Sequence, residues 1–371
     1  MADDVTTSTP TSDELDAFHE IRKPGAHLDE GVVADDFVLM LGVDLQNYEK
    51  FPRVDDTVTY PKADLDNRDD VDGETLDLHD YSGPYRQGIR FADFTREALA
   101  TRFLPWADAY RDLCLDGWVA EVGRRYGADI VAEIEWAAWN DQVVPEIERM
   151  RAEFLPAGVA YADPNQAVAD ADRPHTRVDY SGVFSADLAD ASLSREDLVR
   201  WLLGSHEYLL QCIEAWATQL TVRYGLDVMF DIQFTLWGDT VLPGAKRLKA
   251  EYLGIGTGSV EEWMKDLQMD ATAMPGKAFD CTFEMPEPDV GILTFNRCVA
   301  VDQWEAMGRP DILEKNCHST CPKSMIVTTK MYHPDMQVEI LAIPPRKDPD
   351  DVCCKWRFSI GDAGADPLGP G

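Results

Sequence analysis

Apolar residues recur at helical spacing in two long stretches of the chain. The first carries Leu99, Phe103, Trp106, Tyr110 and Leu113. The second carries Leu198, Trp201, Leu202, Leu209, Ile213 and Trp216. A period near 3.6 residues predicts one amphipathic helix in each stretch. Thr95 and Ser194 stand where N-caps belong, with Asp197 at the acidic position of a capping box. Gly127 and Gly225 end the two helices. A further helix then passes through Trp139 or Trp237, and Pro145 and Pro243 interrupt it or begin the next turn. Pro105 is expected to kink the first long helix.

Beyond residue 278 the period changes from helical to alternating. Segments 281–285 and 290–296 read as strands, 304–313 and 322–331 as helices, and 338–343 and 354–360 as strands again. In the last of these, Cys354, Trp356, Phe358 and Ile360 share one face. The pattern therefore predicts an α+β protein: tandem duplicated helical bundle units followed by a small α+β domain with an antiparallel sheet.

The duplication is visible residue by residue. Asp80-Tyr81-Ser82-Gly83 returns as Asp179-Tyr180-Ser181-Gly182, and Thr95-Arg96-Glu97 corresponds to Ser194-Arg195-Glu196. Tyr110, Cys114 and Trp118 match Tyr208, Cys212 and Trp216. Arg125-Tyr126-Gly127 matches Arg223-Tyr224-Gly225, and Trp139, Asp141 and Pro145 match Trp237, Asp239 and Pro243. The register slips by a single residue between Leu99 and Tyr110. The resulting division is an acidic, largely irregular segment 1–78, helical repeat 79–155, linker 156–178, helical repeat 179–270 and a cysteine-rich α+β domain 279–362, with a further linker near 271–278. Tyr, Cys and Trp at i, i+4 and i+8 form a stripe that is expected to be core, with a paired pocket between the copies as the functional alternative.

Charge narrows the partners. The 371 residues include 68 acidic and 34 basic ones, for a net charge of −34. Acid spread over the whole chain is what a high-salt cytoplasm favours, where screening over ~3 Å at molar salt removes self-repulsion. An acidic interaction surface is the alternative. Nucleic acid is not expected, because phosphate binding needs clustered Lys and Arg. No membrane span is expected: the best apolar stretch, 37–41, is far shorter than the roughly 20 residues required. The acidic start shows no secretory signal, so a cytoplasmic location with reduced thiols is expected.

Six of the eight cysteines lie in the last domain: Cys281, Cys298, Cys317, Cys321, Cys353 and Cys354. Cys317-His318-Ser319-Thr320-Cys321 reads as a C-x3-C loop entering a helix, which would lower the Cys321 thiol pKa. Its two sulfurs can reach one metal at about 2.3 Å, with further ligands from elsewhere. Core packing, a metal site and a reactive thiol all remain open for these cysteines. No Walker A loop, dinucleotide fingerprint, H-E-x-x-H or G-x-S-x-G is present.

Several segments resemble an uncharacterised prokaryotic family. In the helical part these are Arg90-Phe91-Ala92-Asp93-Phe94-Thr95-Arg96-Glu97-Ala98-Leu99, Leu115-Asp116-Gly117-Trp118, Tyr126-Gly127 and Trp139. In the C-terminal part they are Asn296-Arg297-Cys298, Gly308-Arg309-Pro310-Asp311, Cys317, Pro344-Pro345 and Cys354-Lys355-Trp356-Arg357-Phe358. That C-terminal part is similar to L-2-amino-thiazoline-4-carboxylic acid hydrolase and, remotely, to the 4-vinyl reductase domain. The chain departs from the pattern in its duplicated helical half and in Ile343, where a cysteine is expected.

These readings converge on a small-molecule enzyme of hydrolase or lyase type. Cys317 or Cys321 would be nucleophile or ligand, His318 the nearby base and Asp302 its orienter. The metal set would be Cys298, Cys317, Cys321 and Cys354, holding zinc or another thiolate-bound ion. The alternative is a non-enzymatic module that binds a small molecule or metal, with the helices as an interaction body and homo-oligomerisation left open.

Overall fold

The computed structural model describes residues 74–154, 178, 180, 193–270, 279–298, 301–302, 305, 310–348 and 351–361. Most of segment 1–78, the linkers and three residues of the second Asp-Tyr-Ser-Gly copy lie outside the described residues. The fold is α+β, a helical body followed by a four-stranded antiparallel sheet. Among the described residues no helix is long and apolar enough to cross a membrane.

In the first repeat a 3-10 turn at Phe91–Asp93 precedes the turn Arg96–Ala98, which is capped by Thr95, whose hydroxyl accepts the Ala98 N–H at 3.1 Å. A π turn, Leu99–Phe103, runs directly into α1, Leu104–Tyr126. Next come α2, Ala128–Ala138, a π turn at Trp139–Val143 and α3, Val144–Phe154. The second repeat has α4, Arg195–Tyr224, opened by the Ser194–Asp197 capping box. It continues with α5, Leu226–Leu236, a π turn at Trp237–Val241 and α6, Leu242–Leu248. Gly127 and Gly225 sit at φ 90° and 87°, a conformation that L side chains rarely adopt, and each joins two helices with nearly the same backbone geometry.

The one-residue slip between the copies has a structural cause. The stretch from Thr95 to Tyr110 holds one residue more than that from Ser194 to Tyr208. The extra residue is absorbed by the π turn Leu99–Phe103, whereas α4 runs as uninterrupted α-helix over the matching stretch. Pro105, at the start of α1, follows that turn.

The two copies meet through their own equivalents. Trp118 stacks on Trp216 at 6.3 Å and Tyr126 on Tyr224 at 4.2 Å, the rings of the latter pair nearly parallel at 6°. Two self-pairs, a little over two turns apart on one helix, require α1 and α4 to run parallel with the pseudo-twofold axis along them. The ion pairs obey the same symmetry: Arg125 binds Asp231, and Arg223 binds Glu133 at 2.8 Å. Tyr110, Cys114, Trp118, Tyr208, Cys212 and Trp216 are all buried, so the stripe is core.

A fourth π turn, Lys249–Leu253, leads to α7, Val260–Gln268, which extends the second repeat in sequence but packs on the sheet. The strands are β1, Phe279–Glu287; β2, Val290–Cys298; β3, Met336–Ala342; and β4, Cys354–Ile360, in the order β1-β2-β4-β3. Between β2 and β3 lie α8, Pro310–Lys315, the π turn Asn316–Thr320 and α9, Cys321–Tyr332. Val260, Trp263, Met264 and Leu267 of α7 cover Leu293, Trp356 and Phe358, as alternation along β4 predicts. Gly291 permits this approach, since a Cβ there would meet the Met264 sulfur at 2.5 Å. On its other side α7 joins the helical body. Tyr81 Oη donates to Gln268 Oε1 at 2.6 Å, and Lys249 Nζ meets Asp266 Oδ1 at 2.9 Å.

Candidate functional site

The cysteines of the last domain gather at one end of the sheet. Cys281 on β1 and Cys354 on β4 flank Phe295, which pairs with both. Cys298, at the end of β2, joins them through a register irregularity. Cys281 faces Phe295 while Asp280 faces Arg297, which leaves Asn296 as an extra residue in β2. Strict alternation would put Cys298 on the face opposite Phe295. The bulge returns it to the covered face, where it packs beside Phe295, Cys317 and Cys353. Asn296 anchors the bulge by donating to Thr282 Oγ1 at 3.0 Å. Cys353, fully buried, donates its N–H to Phe295 O at 2.8 Å.

Cys317 and Cys321 reach the cluster differently from the expectation. Residues 310–332 form one helical run in which the π turn Asn316–Thr320 is an interruption, not a loop. Cys321 therefore has helix on its N-terminal side and gains nothing from a helix N-terminus. The C-x3-C spacing is the i, i+4 spacing of a helix face. Asn316 Nδ2 donates to Cys321 Sγ at 3.5 Å and Trp356 Nε1 to Cys354 Sγ at 3.2 Å.

Burial sets the protonation of these thiols. It pushes Cys321 up to about 12, and the neighbouring Cys298 adds to the effect. Cys317 and Cys354 are raised first by burial, then by the thiols around them. The Cys353 pKa is raised by its hydrogen bond with Cys298 and by burial, against the pull of the Arg346 cation. Cys321, Cys298 and Cys354 all raise the Cys317 pKa, and Cys298 also raises those of Cys321 and Cys354. Yet among the described residues no group of three or more His, Cys, Asp or Glu side chains is arranged to hold a metal ion. The thiols form a neighbourhood without the convergent geometry that zinc needs.

The acid–base partners are not assembled. His318 donates its Nε2–H to Pro344 O at 2.6 Å. Asp302 is held by Arg346 at 2.5 Å and Arg297 at 3.5 Å, so its contacts are with arginines rather than with the imidazole. Arg346 also binds Glu305 at 2.7 Å. Burial opposes its charge, but Glu305 and Asp302 more than offset this and raise its pKa. Sequence reasoning did not single out Arg346, Glu305 or the contact between Cys353 and Cys298. Their positions in the chain, far from one another, carry no local signal. The helical placement of Cys317 and Cys321 did have one, in their i, i+4 spacing.

No protein-family model matches this chain, nor does any curated protein or solved structure.

Proposed function

We propose that the C-terminal domain binds a small thiophilic species at its cysteine cluster, with the duplicated helices as scaffold. The carrying observation is the gathering of six free thiols from separate elements at one end of the sheet. Cys281, Cys298, Cys321 and Cys354 are half-buried, and Cys317 and Cys353 are buried. A soft ligand that displaces the thiol proton gains sulfur bonds that a hard one does not, and its affinity rises with pH. Zinc or another thiolate-bound metal would require these side chains to re-aim. The reading includes a reducing, cytoplasmic setting and the high-salt interior that the acidic surface suits. The hydrolase or lyase reaction implied by the resemblance would need a thiolate, and burial drives Cys317, Cys321 and Cys354 away from that form. The geometry therefore favours a binding module over an enzyme.

Titration of the folded protein, purified in high salt, with 4,4′-dithiodipyridine in the presence and absence of a chelator tests this. Cys281, Cys298, Cys321 and Cys354 are expected to react, while Cys114 and Cys212 stay silent until the protein unfolds. Eight unreactive thiols and no retained metal would overturn the proposal. Turnover of a thioester or thiazoline substrate, lost in C321S, would favour the enzyme instead.

A further inference from the structure

A second set of buried polar groups lies away from the cysteine cluster, where the helical body meets α7. His206, on α4, is 4% exposed, and both of its ring nitrogens lack a hydrogen-bond partner among the described residues. Its ring lies 5.3 Å from that of Trp106, edge to face, and 5.8 Å from that of Phe91. The indole N–H of Trp106 is itself fully buried and without a partner. Trp106 stacks in turn on Tyr110 at 6.1 Å. Native interiors satisfy such groups with protein, water or ligand, because leaving one bare costs about 1–3 kcal/mol. Three unfilled valences on two touching rings make an unusual concentration.

The surroundings define the ligand. Lys249, Asp266 and Asp270 lie close enough to act on the same region electrostatically. Their charges are engaged with one another. The Lys249 ammonium contacts Asp266 O at 3.0 Å, Asp266 Oδ1 at 2.9 Å and Asp270 Oδ2 at 3.4 Å, which takes up its three hydrogens. Burial lowers the His206 pKa to about 4, so the imidazole is neutral and offers one donor and one acceptor. Every open valence is then on an uncharged group between aromatic rings. A charged guest would bring an uncompensated charge into this interior. The position also breaks the internal symmetry: the residue that matches His206 in the first copy is Asp108, which is bound by Arg111 at 2.7 Å. The π turn found only in the first copy, Leu99–Phe103, borders the same region, with Phe103 5.8 Å from Phe91.

We propose that His206 and Trp106 form a binding site for a small, uncharged, planar molecule with a hydrogen-bond acceptor and a donor side by side, as in a carboxamide. The indole N–H supplies the donor to the carboxamide oxygen and the bare imidazole nitrogen accepts from the carboxamide N–H, while Phe91 and Tyr110 supply the walls. This site is separate from the cysteine cluster and stands or falls apart from it.

Benzamide is the probe, with benzylamine and benzoate as charged controls, titrated into the full chain at high salt. Binding is followed by calorimetry and by the 15N resonances of the His206 ring. The expected result is benzamide binding at least tenfold tighter than either control, with both ring nitrogens shifting while the imidazole stays neutral. His206→Phe keeps the ring packing and is expected to weaken binding at least tenfold, as is Trp106→Phe. Absence of benzamide binding at millimolar concentration would overturn the proposal. So would charged controls that bind equally well, or unshifted His206 resonances at saturation, a readout that requires no variant.

Discussion

Helices α1 and α4 carry one sequence pattern and lie side by side, yet their outer faces differ. Where α1 presents Asp116 to solvent, its match Glu214 on α4 is buried, and α4 also buries Gln211 and Thr218 where α1 has Leu113 and Ala120. Asp108 makes a partly solvated ion pair on α1, whereas its counterpart His206 is sealed among aromatic rings. The inner stripe is shared to the residue, with tyrosine, cysteine and tryptophan buried in both. The duplication thus holds the packing surface constant. The surface turned away from the pseudo-twofold is free to change, because its burial depends on what each helix meets there.

The most severe test of the comparison is to remove a residue from each helix. Deleting Ala100 lets the π turn Leu99–Phe103 close into ordinary α-helix, and the protein is expected to stay folded at a cost of about 1–2 kcal/mol. Deleting Leu203 from α4, which has no such turn, rotates Leu198 and Trp201 out of the core by roughly 100°. Loss of cooperative unfolding by circular dichroism is expected for the second deletion alone.

Next in size come the stacked tryptophans. Trp118→Ala and Trp216→Ala should each cost about 3–5 kcal/mol in urea unfolding. Trp216 should cost the more, because its indole N–H also donates to Tyr180 Oη at 3.2 Å. Because the rings touch, the double variant should cost less than the two singles together.

His206 gives a pH signature that Asp108 does not. Its pKa falls from 6.5 to about 4 on folding, so the unfolded chain takes up the proton first as pH drops. Its contribution is complete above pH 6.5 and is lost progressively as pH falls toward 4, amounting to about 3 kcal/mol over that window. His206→Phe should flatten this part of the stability profile between pH 7 and 5.

The smallest effect belongs to the symmetric ion pairs. Arg125–Asp231 and Arg223–Glu133 involve solvent-exposed carboxylates, so each should contribute about 0.2–1 kcal/mol at low salt and nearly nothing in molar salt. Double-mutant cycles at two salt concentrations check this. A clearly unequal pair would show that the pseudo-twofold is looser than the stacked rings suggest.

Much of the fold was legible because local patterns encode local structure. The caps at Thr95 and Ser194, the breaks at Gly127 and Gly225 and the apolar face of β4 all follow from a few neighbouring residues. The candidate site was legible only in part. Clustering of cysteines in sequence anticipates their gathering at one end of the sheet, but the C-x3-C spacing reads as a loop where the structure has a helical run through Cys317 and Cys321. The bulge at Asn296, which returns Cys298 to the thiol face, has no signature in one strand alone, because it is a mismatch between two. His318 and Asp302 lie near the cysteines in sequence, whereas in space His318 bonds Pro344 O and Asp302 pairs with Arg346.

The sequence by itself determined the α+β class, the duplication and the matched core stripe, because spacing along a helix or strand fixes which side chains share a face. Tertiary structure alone decided that the copies meet as parallel partners, that α7 belongs to the sheet, and that His206 is enclosed while Asp108 is not. Those outcomes depend on contacts between residues far apart in the chain, and burial there sets whether a polar group is charged, paired or left open for a ligand.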